Sequence, residues 1–124
     1  RTSRTDPRCS RQAFDRLRAH YLARDRRLLA RRDQLVFWGA GRKTRKRCSL
    51  LIQRGFEPRA WIDIDPKKIG NRIAGVAVES PSWLGHGKRA FVLVYVTNHG
   101  ARDLIARDLR AMDYRPGRDY LMVG

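Results

Sequence analysis

Four apolar residues run straight into a glycine pair in Leu35-Val36-Phe37-Trp38-Gly39-Ala40-Gly41, and a cation-rich segment with helical apolar spacing follows at once. Few folds accept that order. A short run without polar residues has the character of a strand covered on both faces, as in a parallel sheet flanked by helices. The first glycine permits a tight turn out of the strand, and the second lets a ligand approach the backbone. The amides that open the next helix then point at whatever sits above the turn, with the positive end of the helix dipole behind them. The third position of the GxGxxG spacing is Thr44 rather than glycine. The fingerprint is incomplete, and a side chain there pushes the helix away from the strand.

Beyond Gln34, short apolar runs alternate with amphipathic segments. Residues 35–38 read as a strand. Residues 42–53 read as a helix with Thr44, Cys48, Leu51 and Ile52 on one face, closed by Gly55. The stretch 59–63 (RAWID) is a second strand, ended by Asp65-Pro66, and 76–78 is a third. Ser80-Pro81-Ser82-Trp83 opens a short helix or turn. The run 91–96 (FVLVYV) is apolar on both faces and belongs in the middle of a covered sheet. A helix over 101–112 presents Leu104, Ile105, Leu109 and Met112, and 120–123 supplies the last strand. This alternation predicts an α/β fold, a Rossmann-like open parallel sheet of about five strands with flanking helices, over residues 35–124.

Residues 1–34 differ in character. They are polar to residue 9, with a turn at Asp6-Pro7 and Ser10 placed as a helix N-cap. From there Phe14, Leu17 and Tyr21, with Leu28 further along, form one apolar stripe on an arginine-rich helix that ends near Arg32. Such a stripe packs either on the following domain or on a part of a longer chain. The first residue is Arg1 rather than Met, as expected of a piece of a larger protein.

Composition narrows the partners. A chain of 124 residues with 42% apolar content suits one folded domain. Its 28 Lys and Arg against 12 Asp and Glu leave a charge of +16. That charge draws polyanions: nucleic acid, acidic membrane surface or phosphorylated small molecules. Cys9 and Cys48 stand apart without a CxxC, which argues against a zinc site or disulfide scaffold and suits a reducing cytoplasm. No apolar run approaches the roughly 20 residues needed to span a bilayer.

Four features carry the candidate site. Gly39 and Gly41 are placed to receive phosphate. Arg42, Lys43, Arg45, Lys46 and Arg47 crowd a helix start where cations oppose the dipole, a conflict that a bound anion relieves and that outward-curling side chains also soften. Asp63 and Asp65, roughly two dozen residues beyond Gly39, stand where an acid accepts hydrogen bonds from ribose hydroxyls. Asp65 also suits turn initiation before Pro66, and the Asp-x-Asp triplet has the residue types of a divalent-metal clamp, though in a domain too short for such a catalytic fold. In the loop after the 91–96 strand, Asn98 is a candidate for base or ribose and Arg102 for phosphate, and the same residues fit a helix-capping loop. His99 is of a type that transfers protons, yet no nucleophile or carboxylate is spaced beside it. No GxSxG, HExxH or Walker lysine occurs, so no catalytic residue and no metal ligand is assigned. The expected ligand is a nucleotide, dinucleotide or nucleotide-sugar.

The stretches WGAGRKTRKR, WIDIDPKKIGN, TNHGARDLI and GRDYLMVG resemble the C-terminal Rossmann-like domain appended to some bacterial family-2 glycosyltransferases. The opening SRTDPRCSRQAFDRLRAHYLA is similar to the segment that leaves their catalytic domain. The order glycine turn, IDxDP, GxxV is also similar to the nucleotide-binding domains of PglD-like sugar-modifying enzymes. The resemblance implies a cytoplasmic domain, at the inner face of the membrane through its parent, with the catalytic part of a sugar transferase for surface polysaccharide as its partner. Two other readings stay open: a basic nucleic-acid-binding module using the helix 10–32 and the 42–47 cluster, and a structural domain that docks on the catalytic part and binds nothing. A stand-alone oxidoreductase lacks a substrate domain and a catalytic pair.

Overall fold

The computed structural model describes residues 7–85 and 89–123, with side chains from residue 11 onward. Helices α1 (Pro7–Leu22) and α2 (Arg26–Ala30) precede strand β1 (Leu35–Trp38) and helix α3 (Arg42–Ile52). Strand β2 (Ala60–Ile62) leads to a hairpin of β3 (Arg72–Ile73) and β4 (Val76–Glu79), then a 3-10 turn over Pro81–Gly85. Strand β5 (Phe91–Val94), helix α4 (His99–Ala111) and strand β6 (Tyr120–Met122) complete the chain. The sheet order is β3-β4-β2-β1-β5-β6, parallel throughout except for the antiparallel β3–β4 pair. The fold is the Rossmann-like α/β architecture expected from the alternation.

The strands are buried on both faces because their side chains alternate between two cores. Leu35, Phe37, Trp61, Phe91, Leu93 and Tyr95 point to the layer that contains Leu22, Leu28, Cys48 and Leu51 from the first three helices. Val36, Trp38, Ile62, Val92 and Val94 point to the other layer, with Ile105, Leu109 and Tyr114. Phe37 meets Trp61 and Tyr95 at ring-centroid distances of 5.2 and 5.7 Å, the latter edge-on. Each fully buried large side chain of this kind contributes about 1.5–3 kcal/mol relative to exposure. Burial also pushes the Cys48 thiol far above its usual range, which suits a core filler rather than a nucleophile. Helix α3 stops as expected: Phe56 N–H bonds Leu51 C=O, Gly55 N–H bonds Ile52 C=O, and Gly55 takes a φ of 93°.

Three expectations need correction. Helix α1 begins at Pro7, a residue whose missing N–H costs nothing in a first turn, so Ser10 lies inside the helix rather than capping it. The expected turn at Asp6-Pro7 falls on Asp6, outside the described residues. The helix also breaks after Leu22, and Asp25 starts α2 by accepting the Arg27 N–H at 2.8 Å. That break resets the helical phase. Leu28 enters the core, whereas Phe14, Leu17 and Tyr21 are 51%, 51% and 64% exposed, and Ala19 and Leu22 make the buried face instead. The stripe therefore does not dock on its own domain.

Strand β3 escaped the sequence reading because its hairpin turns on Ala74-Gly75, with φ values of 52° and 81°. A two-residue turn of that hand ordinarily announces itself by Asn-Gly or Asp-Gly. Helix α4 starts at His99, earlier than the expected 101, because Asn98 caps it. No helix among the described residues is long and apolar enough to cross a membrane.

Candidate functional site

Strand β1 has β2 on one side and β5 on the other, so the chain leaves the middle of the sheet in opposite directions and opens a crevice at the strands' carboxyl ends. The glycine turn sits at this point. Gly39 has a φ of 123°, and its N–H bonds the Ile62 carbonyl at 2.7 Å. A Cβ on Gly39 would lie 2.9 Å from the Thr44 methyl, so Thr44 fills the place of the third glycine by leaning on the first. Gly41 is different. It has φ −71° and ψ 162°, which any residue adopts, and a Cβ there would meet nothing within 4 Å. Neither backbone nor packing demands glycine at 41; the absent side chain leaves open space above the helix start.

That helix start is unsatisfied. Gly41 is the N-cap of α3 and supplies no side-chain acceptor. Among the described residues, the amides of Gly41, Arg42, Lys43 and Thr44 have no protein acceptor, while Arg45 N–H bonds Gly41 C=O at 2.9 Å. These are the orphan donors of a helix end, and with the dipole they favour an anion.

Asp63 anchors the turn from below. One carboxylate oxygen accepts the Ala40 N–H and the other the Asp65 N–H, both at 2.9 Å. It thus staples the turn after β1 to the turn after β2. Asp65 accepts the Lys67 N–H at 2.9 Å and pairs with Lys68 Nζ at 3.2 Å, and these two contacts, the amide first, hold its carboxyl below the usual range. These contacts form a turn, one of the two parts that the sequence left open for Asp65. Among the described residues no group of three or more His, Cys, Asp or Glu side chains is placed to hold a metal ion.

A cavity of about 260 Å³ lies on the α4 side of the turn, lined by Trp38, Gly39, Asp63, Ile64, Ala101 and Leu104 among others. Ile64 and Leu104 are 71% and 56% exposed, so two large apolar side chains line an open slot beside the glycine turn. No sequence pattern points to this pair. Ile64 sits between two acids, and Leu104 belonged to the helix face expected to be buried.

The remaining candidates are dispersed. Asn98 accepts the Ala101 N–H at 3.0 Å and so acts as the α4 cap. Arg102 and His99 line a separate cavity of about 310 Å³, shared with Arg18, Arg47 and Tyr95 beneath α1. Arg42 and Lys43 are exposed. Lys43 joins Arg11, Lys46 and Arg47 along a groove between α1 and α3, with Asp15 4.0 Å from Arg47. Arg45 turns the other way, into a cleft shared with Lys68 and Arg72. Of the eight residues assigned to the site, Gly39, Gly41 and Asp63 converge on the turn, and Arg102 does not reach it.

No protein-family model and no curated protein matches the chain. Among solved structures, the crystal structure of RSP, a Rex-family repressor, is similar, with 18% sequence identity and a TM-score of 0.50. The likeness covers 66% of this chain and 42% of that one, so the chain spans less than half of the repressor's length. At that identity it shows the fold alone.

Proposed function

We propose that the domain is a nucleotide-recognition or regulatory module, with the ligand's phosphates on the open amides at Gly41–Thr44. In this reading the base lies in the slot between Ile64 and Leu104, and the ribose stands over Asp63. Each carboxylate oxygen has more than one lone-pair direction, so Asp63 can hold its two backbone amides and still accept a ribose hydroxyl. The observation that carries the proposal is Gly41, a glycine that the fold does not need, placed where a side chain would stand in the way of a phosphate. The resemblance of WGAGRKTRKR and WIDIDPKKIGN to appended domains of family-2 glycosyltransferases supports a parent enzyme that moves a sugar from a nucleotide donor in surface polysaccharide synthesis. Catalysis would then belong to that partner domain.

A panel of NAD, NADP, UDP-sugars and GDP-sugars tests this by thermal shift, since a ligand specific to the native state raises its melting temperature. At least one compound should do so. A null result across the panel removes the proposal. A second reading, nucleic-acid binding, is favoured by the groove where Arg11, Lys43, Lys46 and Arg47 gather. Short DNA should then bind with an affinity that falls steeply with salt and is unaffected by nucleotides.

A further inference from the structure

The cation run on α3 divides in space. Lys43, Lys46 and Arg47 face α1, whereas Arg45 enters a cleft of about 400 Å³ between α3 and the β3–β4 hairpin. Ala40, Arg45, Lys68, Asn71 and Arg72 line this cleft, with Ile73 and Val78 as its apolar floor. Three cations therefore converge, and among the described residues no acidic side chain lines the cleft. Asp65, the acid paired with Lys68, is already engaged by the Lys67 amide. Arg72 uses one guanidinium nitrogen on the Gly75 carbonyl at 3.0 Å. Most telling is Arg45 Nε. It is buried without a hydrogen-bond partner, and among the described residues it is the one buried side-chain nitrogen or oxygen in that condition. Buried polar groups are ordinarily satisfied, and an exception calls for a missing partner.

We propose that this cleft is a binding site for a phosphate monoester, whose oxygens accept hydrogen bonds from the Arg45 guanidinium while Lys68 and Arg72 supply charge. A planar guanidinium beside an ammonium suits the several acceptor oxygens of a phosphate dianion. Ala40 lines the cleft on one side of the glycine turn, and Gly39 lines the Ile64–Leu104 slot on the other. The inference here rests in part on the proposed nucleotide reading: the monoester is an extra phosphate on the ribose of the nucleotide in the slot. A free orthophosphate has the same chemistry and is the other source.

Titration calorimetry on the full chain separates the sources, using 5′-AMP, 2′,5′-ADP and inorganic phosphate as probes. The variants are Arg45→Met and the exposed hairpin substitution Arg72→Gln, each first checked for an unchanged circular-dichroism spectrum. The expected result is that 2′,5′-ADP binds about tenfold or more tightly than 5′-AMP, and that either variant shrinks this ratio without weakening 5′-AMP. If instead inorganic phosphate binds the wild type and not the variants, the site stands with a free phosphate as its ligand, whether or not nucleotides bind. If 5′-AMP binds but the added phosphate changes nothing and inorganic phosphate is not felt, the cleft proposal is overturned and the nucleotide reading survives. If no probe binds, the cleft proposal falls, and the nucleotide reading is decided by the panel of NAD, NADP, UDP-sugars and GDP-sugars. If Arg45→Met unfolds the chain, the same criteria are read from Arg72→Gln alone.

Discussion

Gly39 and Gly41 look alike in the sequence and do different work. Gly39 is held at a positive φ with the Thr44 methyl against the space of a Cβ. Gly39→Ala should therefore destabilise the protein by about 1–3 kcal/mol, read as a lowered denaturant midpoint. Gly41→Ala should shift it by less than about 1 kcal/mol, because the backbone there is ordinary and only the N-cap preference for glycine over alanine is lost. Equal losses at both positions would contradict this division. The spacing made both glycines legible, since a tight βα turn needs them within a few residues of one another, and Asp63 was legible from its place at the end of the following strand. The fate of Arg45 was not legible. Arg45 and Arg47 lie about 200° apart around the helix and so flank the inward-facing Thr44–Cys48–Leu51 stripe on opposite sides, and only the neighbours of α3 decide what each one meets. Asp119 was also passed over. It is 2% exposed, and its carboxylate accepts from Arg31 at 2.9 Å and from the Arg115 amide at 2.8 Å. Burial alone raises its pKa, but the Arg115 amide and the Arg31 and Arg118 guanidiniums together outweigh that and hold it below the usual 3.8. The stability it adds is thus complete above pH 3.8, the unfolded value, and is lost as pH falls through the lower folded value. Asp119→Asn should weaken the protein at neutral pH and flatten the acid limb of its stability curve, measured by urea unfolding from pH 6 to 2.

At the scale of elements, the largest departures from the sequence reading are the hairpin and the first helix. Ala74 holds a left-handed conformation that asparagine accepts more readily. Ala74→Asn should raise stability by about 1 kcal/mol, seen as a higher melting temperature, and a loss would mean that the turn is not of this type. The third strand was hidden because two residues with an Ala-Gly turn carry almost no pattern. Helix α1 misled for another reason. Hydrophobic spacing identifies the apolar face of a helix but not what covers it, and here the smaller face of Ala19 and Leu22 was chosen. Helix α2 is instead tied down by Arg31, whose guanidinium bonds Asp119, the Arg118 carbonyl and the Ala90 carbonyl while Nε reaches Gln34. A single arginine so connects the N-terminal segment to both β5 and β6 ends, a link with no local signature.

Across the whole molecule, the alternation of strand and helix was enough to fix the layers, because burial on both faces of β1 and β5 leaves a parallel sheet covered by helices as the arrangement that satisfies them. The same topology sets the crevice at the carboxyl ends of β1 and β5 and aims the open end of α3 into it. The ligand itself was not legible, since the slot beside the turn depends on Ile64 and Leu104, which come together only in three dimensions. The excess of cations is shared among a groove, a cleft and exposed side chains, so net charge alone does not choose between nucleotide and nucleic acid. An amide-resolved NMR titration with the best ligand of the panel addresses the central claim most directly. The account predicts the largest backbone shifts at Gly41, Arg42 and Lys43, with Ile64 and Leu104 following, and their loss in Gly41→Val. Shifts confined to the α1–α3 groove around Arg11 and Arg47, or an undiminished response in Gly41→Val, would contradict it.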